Sequence, residues 1–298
     1  MQLSQNPDKD LLKVNWKRSI PEVSIGMPVF NGGDTIAKAL DSLLSQTFAD
    51  FELLISDNAS TDNTDEICKR YAQKDKRIIY VRQPENMGIG YNFLYVLKQS
   101  RGKYFMWAPV DDIWALDFIM ENLQSFKLDN TIIASMSKVK LLDDVMSPIH
   151  TYPLMGGVSD NIVNFLKAPR ENCRFYSLFK KDILCKCYDD DAHFYGHDWE
   201  IVIKTLVYGK YYEVDKFLFF KGCRGLSTKG IITNLQLNTT RLIDRIFPMF
   251  AFTKKILADK VIPMPVKLRC LPILLMYNLK FALSLAKERV FSMWGSNR

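Results

Sequence analysis

Between residues 23 and 112, short β-prone runs alternate with segments of helical periodicity, and every run stops at a polar loop. VSIGMPV at 23–29 ends in Phe30-Asn31-Gly32-Gly33. Asp34 and Thr35 then stand where they can cap a helix carrying Ile36, Leu40, Leu43 and Leu44 on one face. FELLIS at 51–56 reads as a second buried strand, closed by Asp57-Asn58-Ala59-Ser60-Thr61-Asp62. A helix over 63–73 turns Ile67 and Tyr71 to one side, 78–81 is a third strand, and 88–99 a third helix. The fourth strand, 104–108, stops at Pro109-Val110-Asp111-Asp112.

This alternation predicts βαβ units and a mostly parallel sheet. In open sheets of that kind, ligands bind beyond the carboxyl ends of the strands. Asn31, Asp57, Asn86 and the Asp111-Asp112 pair all fall at those ends, so four loops are expected to converge on one crevice. The second half is less regular. Residues 132–142 read as a long strand, 143–160 as turn-rich, 199–208 as helical around His197-Asp198-Trp199-Glu200, and 214–220 as a strand leading to Gly222-Cys223-Arg224-Gly225.

Charge narrows the class. The net charge is +7, and the residues from 251 onward, with nine Lys/Arg against Asp259 and Glu288, carry all of it. A neutral body with a basic tail argues against a nucleic-acid binder. The six cysteines show neither zinc-ligand spacing nor a dense disulfide pattern, and are expected to be reduced and mostly buried. The N-terminal residues lack the apolar core of a secretory signal, and no stretch reaches about 20 uninterrupted apolar residues. The expectation is a cytoplasmic protein, with a tail able to meet the inner face of the membrane.

Several side chains are candidates for chemistry. Two adjacent carboxylates after an apolar strand are costly unless a cation or donors meet them, and Mg²⁺ or Mn²⁺ suits such ligands. A capped turn is the alternative for Asp111 and Asp112. Asp57 could accept a hydrogen bond from a nucleotide base or close an Asx turn. Asp198 could act as a general base or cap the helix that follows it. His197 reads as a structural neighbour. Arg224, in a Gly-flanked loop, offers a fork of donors suited to a diphosphate, or is a solvated arginine.

Taken in order, PEVSIGMPVFN at 21–31, LLSQTF at 43–48, FELLISDNASTD at 51–62, PENMG at 84–88, Gly102-Lys103-Tyr104 and Asp111-Asp112 resemble glycosyltransferase family 2. The likeness covers about the first 120 residues. It implies the GT-A fold, an α/β architecture with a Rossmann-like, mostly parallel central sheet flanked by helices, here with a C-terminal helical extension. It also implies an inverting transfer of sugar from a nucleotide-diphosphate donor to a hydroxyl acceptor. By the same resemblance, Pro28 and Asn31 line the nucleotide pocket, Asp57 holds the base, and Asn86 and Gly88 border the donor. Asp111-Asp112 stands for the metal motif, with Pro109 where the longer form often starts. Asp198 stands for the catalytic base, with His197 replacing the usual Glu. The Arg224 loop lacks the family's frequent His.

The expected organisation is an N-terminal extension (1–20), a catalytic domain (21–230) and a basic, apolar tail (231–298). The nucleotide-sugar half of the domain spans about 21–120 and the acceptor half about 121–230. Pro263, Pro265 and Pro272 are expected to break the tail into segments, with one helix over 274–291. Such a tail suits an anionic membrane surface, packing on the body, or a second subunit. A glycan or lipid-linked acceptor in bacterial surface-polymer synthesis is the family expectation. A non-catalytic sugar-nucleotide or glycan binder and a sugar nucleotidyltransferase are the alternatives. The second lacks a basic residue in its Phe30–Asp34 loop, and no GxGxxG follows the first strand to support a dehydrogenase.

Overall fold

The computed structural model describes residues 19–142, 147–169, 172–188, 194–223 and 243–295, with side chains to Arg289. The first four strands are β1 (Val23–Val29), β2 (Phe51–Asp57), β3 (Ile78–Arg82) and β4 (Tyr104–Trp107), joined by helices α1 (Ile36–Leu44), α2 (Thr64–Lys74) and α3 (Ile89–Gln99). Then come β5 (Ile113–Trp114), α4 (Phe118–Ser125), β6 (Ile132–Leu141), β7 (Pro148–Ile149) and α5 (Val158–Lys167). A 3₁₀ turn at Cys173–Tyr176 precedes β8 (Leu178–Lys180), α6 (Lys181–Cys187), α7 (His197–Leu206) and β9 (Lys210–Lys221). Two further helices, α8 (Phe250–Ala258) and α9 (Met264–Gly295), follow.

The sheet order is β3-β2-β1-β4-β8-β6-β9-β5, with β7 on the edge of β6. Strands β3, β2, β1 and β4 run parallel. Strand β8 reverses direction between β4 and β6, and β9 runs parallel to β6. The chain leaves β1 to build β2 and β3 on one side and returns to its other flank as β4. That return is the topological switch at which such sheets bind ligands.

Both faces of the sheet are covered, which is why β1, β2 and β4 are apolar without alternation yet still sort by period two. Leu53, Ile55, Tyr104 and Met106 face one core with α1, α2 and α4. Leu54, Phe105 and Trp107 face the other, with α3, α5, α7, α8 and α9. Pro28 sits inside β1 without loss of a ladder bond. Ala108 N closes the β4 ladder on the Gly26 carbonyl, and Pro28, two residues on, faces the same side beyond that end.

Three expectations change. Thr35 is the N-cap of α1 but makes no side-chain capping bond; its hydroxyl donates instead to the Gly32 carbonyl at 3.5 Å. The stretch expected to be turn-rich also contains β7 and the start of α5, whose Ile162, Val163, Phe165 and Leu166 are buried. Pro272 does not break the tail: it lies inside the 32-residue α9. Cys270, Leu274 and Tyr277 on either side of it are buried against the body, and that packing carries the helix across the missing hydrogen bond. Pro265 falls in the first turn, where no N–H is needed. All six cysteines are free, with Cys68, Cys173, Cys187 and Cys270 buried.

Candidate active site

The loops after β1, β2 and β3 are laced together. Asn31 takes a left-handed conformation (φ 53°), which an asparagine tolerates, and its side-chain Oδ1 accepts from Thr61 N at 2.8 Å. Gly32 N and Gly33 N donate to the side chains of Thr64 and Asp62, each at 2.9 Å. Asn58 bonds across to the next loop, donating to Asn86 Oδ1 at 2.8 Å and to the Gly88 carbonyl at 3.1 Å while accepting from Met87 N. Asn92 of α3 reaches the Ser56 carbonyl at 2.9 Å. Of the four loops expected to converge, those of Asn31, Asp57 and Asn86 are tied together here, and Asn58 and Asn92, unnoticed in the sequence, are their fasteners.

Asp57 is fully buried and its carboxylate is spoken for. Ser60 N donates to Oδ1 at 2.8 Å, the Asx-type turn foreseen above. Oδ2 accepts from the Tyr80 hydroxyl and from Arg82 Nη1, both at 2.7 Å. Arg82 also holds the Ser60 carbonyl.

The end of β4 is the opposite case. Strand β5 pairs with β9 and brings Asp111-Asp112 against Gly222. Asp112 is 2% exposed, and Oδ1 accepts from Gly222 N at 2.7 Å. Oδ2 is buried with no hydrogen-bond partner. Burial first, then the neighbouring Asp111 charge, push the Asp112 carboxyl well above the ordinary carboxylate range. The approach requires a glycine at 222, since a Cβ there would lie 2.2 Å from the Asp111 carbonyl oxygen. Asp34, Lys38, Asp111, Asp112 and Cys223 border a cavity of about 300 Å³. Arg224, placed beside the donor by the sequence reading, lies outside the described residues.

Asp198 stands in the first turn of α7, which starts from Gly196 at φ 90°. Its Oδ2 accepts from Asn172 Nδ2 at 2.7 Å. Asp198 keeps a small opening to solvent, yet protein encloses its carboxyl and burial raises its pKa against the Asn172 bond and the His197 charge. His197 turns inward to Glu200, Nδ1 to Oε2 at 3.1 Å, and packs edge-on against Tyr188 and Phe194. Tyr176, missed in the sequence, feels both acidic stations: burial raises its phenol, followed by the charges of Asp112, Asp198 and Asp111. No periodicity or motif marks a tyrosine in a short 3₁₀ turn.

Among the described residues no three His, Cys, Asp or Glu side chains cluster as a complete metal cage. The bare, buried Asp112 oxygen next to Asp111 nevertheless fits one hard divalent cation whose other ligands come from phosphate and water.

A family model described as glycosyl transferase family 2 matches residues 24–187, more than half of the chain and all of the crevice loops. The chain belongs to glycosyl transferase family 2. TuaG of Bacillus subtilis, named for teichuronic acid biosynthesis, is 30% identical over 138 residues, 46% of this chain and 53% of its own. The matched stretch spans 38% to 53% of the first curated relatives. Among solved structures, S. aureus TarS 1–349 in complex with UDP-GlcNAc superposes with a TM-score of 0.64 at 18% identity, covering 86% of this chain and 71% of that one. The mannosyltransferase PcManGT of Pyrobaculum calidifontis, in complex with GDP-Man and Mn²⁺, gives 0.55 at 16% identity, covering 93% and 76%. The family fold, a curled and largely parallel sheet with helices on both faces, is the fold of this chain.

Proposed function

We propose that this family member transfers a sugar from a nucleotide-diphosphate donor to a hydroxyl acceptor with inversion at the anomeric carbon, in the synthesis of a bacterial cell-surface polysaccharide or glycolipid. The observation that carries the reading is a division of labour among carboxylates. Asp112, a residue lining the cavity, keeps one bare buried oxygen, whereas Asp198 has a raised pKa and an amide holding it in place. Both act on Tyr176.

In this reading the donor nucleotide lies over the β1–β4 ends, bordered by Pro28, Asn31, Asn86 and Gly88. Asp111 and Asp112 hold Mn²⁺ or Mg²⁺, which when bound offsets the charge developing on the leaving diphosphate. Asp198 takes the proton of the acceptor hydroxyl as that oxygen attacks from the face opposite the nucleotide. Asn172 keeps the accepting oxygen aimed. Asp57 serves the base indirectly, since its two oxygens already hold Ser60, Tyr80 and Arg82. It therefore shapes the loop and leaves the base contact to its neighbours. The names of TuaG and TarS's bound UDP-GlcNAc support a nucleotide-sugar donor and a wall-polymer acceptor.

The test is calorimetric titration with UDP, GDP and dTDP, with and without Mn²⁺. Metal-dependent binding of one of them, lost in Asp112→Ala, is expected. Absence of binding to all three by the folded chain would overturn the donor site.

A further inference from the structure

Helix α9 has two unlike faces. On one, Cys270, Leu274, Tyr277 and Leu285 are buried, and the Tyr277 hydroxyl donates to the Leu166 carbonyl of α5 at 2.8 Å. On the other, Leu275, Leu279 and Leu283 follow one another at four-residue steps and are 57%, 61% and 56% exposed, with Leu268 and Met276 beside them. At the far end Arg289 donates to the Arg245 carbonyl, drawing in the segment that carries the exposed Phe247. Single exposed leucines are ordinary, but a continuous stripe marks a contact surface.

Charge decides what the contact is. From residue 250 to 289 the chain has eight Lys/Arg against Asp259 and Glu288. Lys254, Lys260, Lys280 and Lys287 are exposed, and neither acid is. A second copy would present the same positive face and be repelled. A bilayer with anionic headgroups accepts both the leucine stripe and the lysines. By length and composition residues 264–289 could cross a membrane, with an 18-residue window of mean hydropathy 1.4. The contacts of the buried face hold the helix to the body instead. Lys267 is also buried, with its ammonium on the Asp259 carbonyl. Those contacts favour a helix lying along a surface over one that spans a bilayer.

We propose that the exposed leucine stripe of α9 and its neighbouring lysines dock this enzyme on an anionic lipid bilayer. Phe281 of the same helix contacts Tyr195 and Trp199 at ring distances of 5.5 and 6.3 Å, so the docked face lies one helix away from Asp198. That placement suits an acceptor hydroxyl carried by a lipid, a clause that rests on the transfer reading; the docking does not.

The experiment is co-sedimentation of the full chain with vesicles of phosphatidylcholine alone or with added phosphatidylglycerol, at low and high salt. Sedimentation velocity follows self-association of the same protein. Anionic vesicles are expected to bind at least about ten-fold more tightly, less so at high salt. The double variant Leu275→Glu/Leu279→Glu is expected to abolish binding and Lys280→Glu/Lys287→Glu to weaken it, both with wild-type circular dichroism. Equal affinity for neutral and anionic vesicles, no vesicle binding by the folded wild type, or a dimer dissociated by Leu279→Glu would overturn the proposal. Asp112→Ala is expected to bind vesicles as wild type does whether or not it binds nucleotide, so the docking and the donor site fail separately.

Discussion

The ends of β2 and β4 both carry a buried aspartate at the rim of one crevice, and they treat it in opposite ways. Asp57 receives three donors, one of them an arginine, and has no exposed surface. Asp112 receives one donor, keeps one oxygen bare, and sits beside a second carboxylate that raises its pKa. A carboxylate whose lone pairs are filled by its own fold is a brace. One that the fold buries and leaves half-filled is held ready for something the chain does not supply. Asp198 belongs with Asp112: it is enclosed, raised in pKa and restrained by one amide.

That contrast breaks most severely at the proposed base. Asp198→Asn is expected to lower kcat by about 10²–10⁴-fold, the range for a lost general base, while nucleotide affinity measured by calorimetry stays within two-fold or so. Next comes the brace. Asp57→Ala leaves the Ser60 N–H without its acceptor and Arg82 Nη1 without its carboxylate, while the Tyr80 hydroxyl keeps Asp65, and should cost about 2–3 kcal/mol of stability, read as a lower denaturant midpoint. The held-ready acid should do the reverse. Its raised pKa means that the folded chain keeps the Asp112 proton to higher pH than the unfolded chain. Ionisation above that range therefore opposes folding, and the cost vanishes below the unfolded pKa, where both states are protonated. In EDTA at pH 7, Asp112→Asn should melt a few degrees above wild type, with the gap closing towards pH 4. An Asp112→Asn variant less stable than wild type at pH 7 would place Asp112 with Asp57 as a brace.

The smallest effect sharpens the comparison. The acid limb of the wild-type kcat/KM profile should lie above the ordinary aspartate range, because Asp198 must lose its proton to work and burial raises its pKa. Asn172→Gly keeps the left-handed backbone of residue 172 but removes the amide that favours the carboxylate. The limb should then move further up in pH, with the plateau within about ten-fold of wild type. An unmoved limb would separate Asn172 from the base.

The two halves of the chain differ in how readily they are read. In the first, strands β1 to β4, helices α1 to α3 and the crevice loops can be taken from local pattern, because hydrophobic period and strand-end polar residues are properties of neighbours in sequence. Even there the asparagines 58 and 92, which tie three loops together, look like ordinary turn and helix residues. In the second half the site is assembled from distant pieces. Asn172 meets Asp198 from 26 residues away, and Gly222 meets Asp112 from 110. Helix α7 is positioned by Trp199 against Phe165, Phe252, Tyr277 and Phe281, so the tail is part of the frame that sets Asp198.

By itself, then, the sequence determined the βαβ rhythm, the family and the four strand-end loops, since these follow from periodicity and from residues a few positions apart. Only the tertiary structure decided which carboxylates are satisfied and which are left bare, that Tyr176 is buried within reach of the charges of both acidic stations, and that Pro272 rides inside a continuous helix. Each of those depends on desolvation and on donors brought from far along the chain, and a linear pattern carries no record of either.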